Sequence, residues 1–306
     1  MLRALLSAIV ACAACTGAAP AQQQEVRVLA ASYPEGALWQ GERLYFAEMG
    51  ADRVTLYENG ARESFFLQAG CGPTAIAPYR DGFVILCHLA ARVVAVDAEG
   101  RETQRWDRDA ENVRLMDPND VTADGQGGVY FSDPGQFARS TLPHGRVMHL
   151  SAGGVLRRVA GPLWYPNGVF ADRANNKLYV NEHMSGRTLR YDIRADGSLA
   201  GPVVFADINN LNRPRRYAEA YAETGPDGVE VGPNGDVYVA IYGEGSVLRL
   251  SAEGELLGVI ITPSRYTTSI GFGPGGQAAI TSVYQSDRPP YRGEVRLYPS
   301  LTGVAE

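Results

Sequence analysis

Six segments of this chain share one plan, and that periodicity limits the fold more than any single motif does. EGALWQGERLYFAEMGADRVTLYENG from Glu35, GPTAIAPYRDGFVILCHLAARVVAVDAEG from Gly72 and DPNDVTADGQGGVYFSDPG from Asp117 come first. YPNGVFADRANNKLYVNEHMSGRTLRYDIRADG from Tyr165, GPDGVEVGPNGDVYVAIYGEGSVLRLSAEG from Gly225 and YTTSIGFGPGGQAAITSVYQSD from Tyr266 follow, with GEVRLYPS closing the last. In each, a short apolar run passes through a Gly- or Asn-containing turn into a second, alternating run. A third run then ends near an acidic-Gly turn. Alternation with Val, Leu and Tyr between turn dipeptides is the pattern of short antiparallel strands.

Gly36, Thr74, Asp120, Gly168, Gly228 and Ile270 occupy equivalent places, at intervals of 38, 46, 48, 60 and 42 residues. Those intervals match one four-stranded blade each. The expected fold is therefore all-β, a six-bladed β-propeller of four-stranded antiparallel blades over residues 22–306. The longest interval holds RRYAEAYAE, Arg215 to Glu223, whose composition favours a helix. It is read as a lid inserted over one face, about 207–224.

The chain opens with MLRALLSAIVACAACTGAAPAQQQ: one positive charge at Arg3, an apolar stretch of small residues, then Ala19-Pro20-Ala21. This reads as a secretory signal over residues 1–21, too short in its apolar part to span a bilayer. Export to the periplasm or medium is expected ahead of a lipoprotein anchored through Cys12, which lies very early for a lipobox. A net charge of −6 without a basic run argues against nucleic acid and anionic membrane as partners. Oligomeric state is not legible. Cys71 and Cys87 remain after cleavage; an oxidising compartment permits a disulfide, and two separate buried thiols are the other reading. Their spacing is not that of a metal site.

In a propeller the innermost strand of each blade lines a central channel, so the dyads preceding those strands converge on one mouth. The first dyad members are Glu35, Pro73, Asn119, Asn167, Asp227 and Ser269. Each dyad alone is an ordinary turn. Four carboxylate or amide oxygens at matching places in four repeats call for something to bridge them. Glu35, Asn119, Asn167 and Asp227 are therefore candidate ligands of one divalent cation. An all-oxygen set with two negative charges points to calcium ahead of iron(II), manganese or zinc.

With those residues in view, the sequence resembles the senescence-marker-protein/gluconolactonase/luciferin-regenerating-enzyme family, the bacterial gluconolactonase-like branch most closely. The resemblance runs through EGALWQGERLYFAEMGADRV, PNDVTADGQGGVYFSDP, YPNGVFADRANNKLYVNE and GPDGVEVGPNGDVYVA, in that order. It implies a six-bladed propeller with a divalent metal, usually calcium, held by a Glu, an Asn and an Asp, which fall on Glu35, Asn167 and Asp227. It also implies a further ligand or substrate contact at Asn119, and Asp227 as general base. Animal members carry an Arg two residues before that Asn; here the position is Asp117, which puts their sugar-lactone contacts in doubt.

The implied chemistry is hydrolysis of a small lactone, with the metal polarising the carbonyl and Asp227 activating water. A phosphotriesterase-like hydrolase and a non-catalytic calcium- or ligand-binding propeller are the alternatives. The second strand of each repeat returns to the same mouth, so Glu48, His88, Asp133, Glu182, His183 and Tyr242 are expected as neighbours. Among them His183 and Asp133 are candidate substrate contacts, although a hydrogen-bonded loop histidine and a turn-capping carboxylate are the ordinary readings. Arg213, Arg215 and Arg216 read as a solvated charge run that could meet an anionic substrate. GFGPGG, Gly271 to Gly276, matches a dinucleotide pattern but contains Pro274 and leads into a strand, so it is a turn. No nucleophile elbow and no H-E-x-x-H occurs.

Overall fold

A computed structural model describes residues 26–301 apart from 139, 141 and 214–223. The expected signal segment, most of the expected lid, Arg215 and Arg216 lie outside those residues. After β1 (Arg27–Ser32), the first repeat folds as β2 (Pro34–Gln40), β3 (Arg43–Glu48), β4 (Arg53–Glu58) and β5 (Ala61–Leu67). The second gives β6 (Pro73–Tyr79), β7 (Gly82–Cys87), β8 (Arg92–Val96) and β9 (Glu102–Trp106). The third gives β10 (Val121–Ala123), β11 (Val129–Asp133), β12 (Gly145–Leu150) and β13 (Leu156–Leu163). The fourth gives β14 (Pro166–Asp172), β15 (Lys177–Glu182), β16 (Arg187–Ile193) and β17 (Leu199–Asp207). Each of these four repeats is a four-stranded antiparallel sheet in chain order.

The remaining strands are β18 (Gly225–Val231), β19 (Val237–Tyr242), β20 (Ser246–Leu250), β21 (Leu256–Ile261), β22 (Tyr266–Phe272), β23 (Ala278–Val283) and β24 (Arg292–Tyr298). They depart from expectation. The sequence predicts six separate four-stranded blades, but the structure forms four such sheets and one eight-stranded sheet. Its order is β1-β24-β23-β22-β19-β20-β21, with β18 paired to β19. The cause is local. The end of β19 reaches β22 through the pair Tyr242↔Tyr266, whose rings pack with centroids 4.8 Å apart. That backbone contact fuses the last two repeats, and β1 joins the same sheet by pairing with β24. The all-β class agrees with expectation.

The strand pattern follows from burial. Second strands are covered on both faces: VYVAIY of β19 and AAITSV of β23 are buried throughout. Outer strands such as ARESFFL of β5 are largely exposed. Asn59 and Gly60, both with positive φ, make the tight β4–β5 turn. Separate apolar clusters pack each repeat on the next around a closed ring. Val84 and Leu86 meet Phe131 and Met148, for example, while Ala279 and Val295 meet Leu44 and Phe46. This ring of cores holds the inner strands β2, β6, β10, β14, β18 and β22 around a shared axis. A cavity of about 260 Å³ runs between them, lined by residues including Trp39, Asp120, Glu230 and Ser269.

Candidate active site

The dyads sit where the inner strands start, and the backbone there is irregular in a repeated way. Pairing to the second strand slips between Pro34 and Ala37, between Pro166 and Val169, and between Pro226 and Val229. Glu35-Gly36, Asn167-Gly168 and Asp227-Gly228 are thus the unpaired residues of three β-bulges, a device that re-aims a side chain. The glycines answer to close packing between neighbouring inner strands. A Cβ on Gly168 would lie 2.2 Å from the Asp227 carbonyl oxygen, and one on Gly228 2.9 Å from Ser269 Cα.

The side chains from different repeats meet electrostatically. Burial raises the Glu35 carboxyl well above the usual range, and the charges of Asp227 and Asp120 add to that. Asp227 is likewise raised, by burial first and by Asp120 second; a hydrogen bond from the Asn167 amide works in the opposite direction. Asp120 itself is pushed up to about 7 by burial, although it accepts the Val121 and Val169 N–H groups. Among the described residues, the charges that act on Glu35 and Asp227 are those of carboxylates. Deeper in the channel, burial raises Glu230 to about 8.

Aromatic rings surround these acids. Tyr33, Tyr165 and Tyr242 all feel the charges of Glu35 and Asp227 and are raised, mainly by burial. The Tyr33 and Tyr242 hydroxyls lie 3.3 Å apart. Phe137 packs edge-on against Tyr165, His183 and Tyr242 at centroid distances of 5.0, 5.3 and 6.2 Å. Tyr33 and Tyr165 precede Pro34 and Pro166 at equivalent places and share left-handed φ values of 48° and 52°. Such backbone is costly for a bulky residue and persists where surrounding structure enforces it.

Other expected site residues take different places. Asp133 is fully buried, and its carboxylate accepts the Met116 and Asp117 N–H groups at 2.9 Å and Arg146 Nε at 2.8 Å. It caps the segment leading to Asn119. His183 is buried, with Nδ1 donating to the Pro226 carbonyl at 3.2 Å, so it grips the segment leading to Asp227. Asn119 donates its N–H to Ser132 and accepts Thr74 Oγ1 on its own carbonyl at 2.6 Å. Arg213 is not part of a solvated run: it is buried and paired with Glu244. Cys71 and Cys87 are joined by a disulfide.

Sequence reasoning passed over Asp120, Glu230, Phe137 and the tyrosines Tyr33 and Tyr165. Two signals existed. Asp120 places a carboxylate where three repeats have glycine, and Tyr-Pro recurs before the dyads of repeats one and four. Among the described residues, no three His, Cys, Asp or Glu side chains form a ligand group on their own. Any cation held here needs amide oxygens such as those of Asn167 and Asn119 beside Glu35 and Asp227. The donor chemistry fits a hard cation. The charges of Asp227 and Asp120 act on half-buried Glu35, and that of Asp120 on buried Asp227. No cation of the described residues is among the charges acting on them, and their oxygens are of the kind calcium takes.

The model of the SMP-30/gluconolactonase/LRE-like region matches residues 33–284. The chain belongs to that family. A lactonase, drp35, from Staphylococcus saprophyticus is 28% identical over 199 residues, which are 63% of this chain and 57% of that protein. The chain thus matches little more than half the length of this relative. A gluconolactonase structure from Xanthomonas campestris superposes with a TM-score of 0.70 at 24% identity, covering 90% of this chain and 91% of the other. The calcium-binding protein regucalcin from Agrobacterium tumefaciens gives 0.69 at 17% identity, covering 88% and 92%. At these identities the structural likeness shows the shared fold.

Proposed function

We propose that this family member is an exported, metal-dependent lactonase acting on a sugar-acid or similar small lactone at the channel mouth. The observation that carries the reading is the meeting of Glu35, Asn167 and Asp227, from three repeats, beneath a collar of tyrosines. The names of the family and of its lactonase and gluconolactonase relatives support it. Glu35, Asn167, Asp227 and Asn119 would hold the cation, with calcium preferred for its all-oxygen shell. Bound there, a divalent ion supplies Lewis acidity to a lactone carbonyl and charge stabilisation to the developing oxyanion.

The chain's own groups do the rest. Asp227, made more basic by its surroundings, takes the proton of the attacking water as its oxygen bonds to the carbonyl carbon. The ring C–O bond breaks, the proton passes to the departing alkoxide, and a hydroxy acid leaves. The Asn167 amide keeps the Asp227 carboxylate oriented. Tyr33, Tyr165, Tyr242 and Phe137 wall the mouth, exclude water and offer ring faces to the substrate. The Cys71–Cys87 disulfide supports export to an oxidising compartment.

The test is a lactone panel followed by pH indicator, with protein stripped by EDTA and then given calcium, manganese or iron(II). Turnover that needs the metal and disappears in a folded Asp227→Ala variant supports the lactonase. Tight cation binding without turnover of any lactone or phosphotriester would favour a binding protein instead, a reading that the calcium-binding relative supports.

A further inference from the structure

In repeats one, three and four the second strand ends on a carboxylate, and the bonding of these three carboxylates follows one plan. Glu48, at the end of β3, accepts the Ser32 N–H at 2.8 Å, Thr55 Oγ1 at 2.6 Å and Arg53 Nη2 at 2.7 Å. Asp133, at the end of β11, accepts the Met116 N–H at 2.9 Å and Arg146 Nε at 2.8 Å. Glu182, at the end of β15, accepts the Trp164 N–H at 2.9 Å, Ser185 Oγ at 2.8 Å and the Arg187 guanidinium. Ser32, Met116 and Trp164 share one position: two residues before Pro34, Pro118 and Pro166, and three before Glu35, Asn119 and Asn167. All three carboxylates are at most 2% exposed.

Repeat two makes the same tie covalently. Cys71 stands two residues before Pro73, Cys87 ends β7, and a disulfide joins them. The entry segments of repeats one, three and five are also held by the preceding repeat. Thr268 Oγ1 donates to the Pro34 carbonyl at 2.8 Å, His88 Nδ1 to that of Pro118 at 3.3 Å, and His183 Nδ1 to that of Pro226 at 3.2 Å. Asn181 Nδ2 also donates to the Asp227 carbonyl.

We propose that Glu48, Asp133 and Glu182 are positioning residues. Each locks the segment before a dyad and so sets where Glu35, Asn119 and Asn167 present their oxygens to a divalent cation. This rests on the cation reading given above. At Glu35 and Asn167 the physical reason is that a β-bulge leaves the dyad out of register with the second strand, so its place depends on what pins the chain just before it. Asn119 is also tied by its own N–H to Ser132. A carboxylate that an arginine neutralises can be buried there and still accept a backbone N–H at full strength. Groups that orient ligands without touching the ion typically alter affinity by 10- to 100-fold.

Glu48→Gln and Glu182→Gln keep shape and hydrogen-bonding capacity but lose the charge that binds arginine. Calcium affinity of EDTA-stripped protein is read by titration calorimetry, and metal-free melting in EDTA serves as the folding control. Asp124→Asn breaks a comparably buried pair with His149 at the opposite end of the third sheet. The expected result is a loss of calcium affinity of about tenfold or more in both Gln variants and less than twofold in Asp124→Asn. Should Glu182→Gln fail to fold, Arg187→Lys reads the same clamp more gently and predicts an intermediate loss. Folded clamp variants that bind calcium as tightly as the parent overturn the positioning role alone. A parent chain that binds no divalent cation overturns the cage and the clamp together.

Discussion

The molecule buries two sets of carboxylates, and their surroundings differ in kind. Glu48, Asp133 and Glu182 each face an arginine and a backbone N–H, so their charge is answered within the fold. In the channel set, Asp120 and Glu230 also accept backbone N–H groups and Asp227 an amide hydrogen bond, but among the described residues no arginine pairs with them or with Glu35. The first set resembles structural ion pairs elsewhere in the protein, such as Arg213 with Glu244. The second set is electrostatically costly as it stands, and in the function proposed above a cation would offset that cost. Burial alone therefore does not identify a site; unanswered burial does.

Breaking the channel set should have the largest effect on activity. Asp227→Asn removes the base and one negative ligand, and turnover of a lactone substrate should fall by about 10³-fold or more, measured at saturating calcium. The same change should raise the melting point of metal-free protein, because a repelling charge is gone. Breaking the answered set has the opposite signature. Arg146→Met leaves the fully buried Asp133 without its partner and should cost about 3–5 kcal/mol in urea unfolding.

Repeat two sharpens the contrast, since its tie is covalent and its dyad begins with Pro73, which offers no ligand oxygen. Replacing Cys71 and Cys87 by serine should cost about 3 kcal/mol of stability. Calcium affinity should change little. A last effect is on pH dependence. Glu230 has a folded pKa raised from 4.5 to about 8, so the folded state keeps a proton that the unfolded chain releases. Stability contributed by that protonated group is full below about pH 4.5 and is lost as pH rises through about 8. Glu230→Gln should flatten this decline, on the order of 3 kcal/mol between pH 5 and pH 8, read from urea midpoints.

Much of this was legible because period-2 alternation and turn dipeptides are written locally. The repeats place Glu35, Asn167 and Asp227 at matching positions; in the structure the Asp227 charge acts on Glu35, and the Asn167 amide hydrogen-bonds Asp227. What resists reading is the joining of elements. Nothing local in IYGEG or SRYTTS says that Tyr242 and Tyr266 will pair across repeats and fuse two blades into one eight-stranded sheet. Asp133 and His183 stand at strand ends where a substrate contact competes with the ordinary readings of a capping carboxylate and a hydrogen-bonded histidine. Only coordinates show their polar atoms turned to Met116, Arg146 and Pro226. Phe137 comes from a loop whose path no periodicity fixes.

The central claim is that Glu35 and Asp227, with amide oxygens from neighbouring repeats, answer their charge with one cation. Calcium titration of EDTA-stripped protein by calorimetry tests it directly. One bound ion per chain is predicted, with binding lost in both Glu35→Gln and Asp227→Asn. No binding to the parent, or binding that both variants retain unchanged, would contradict it.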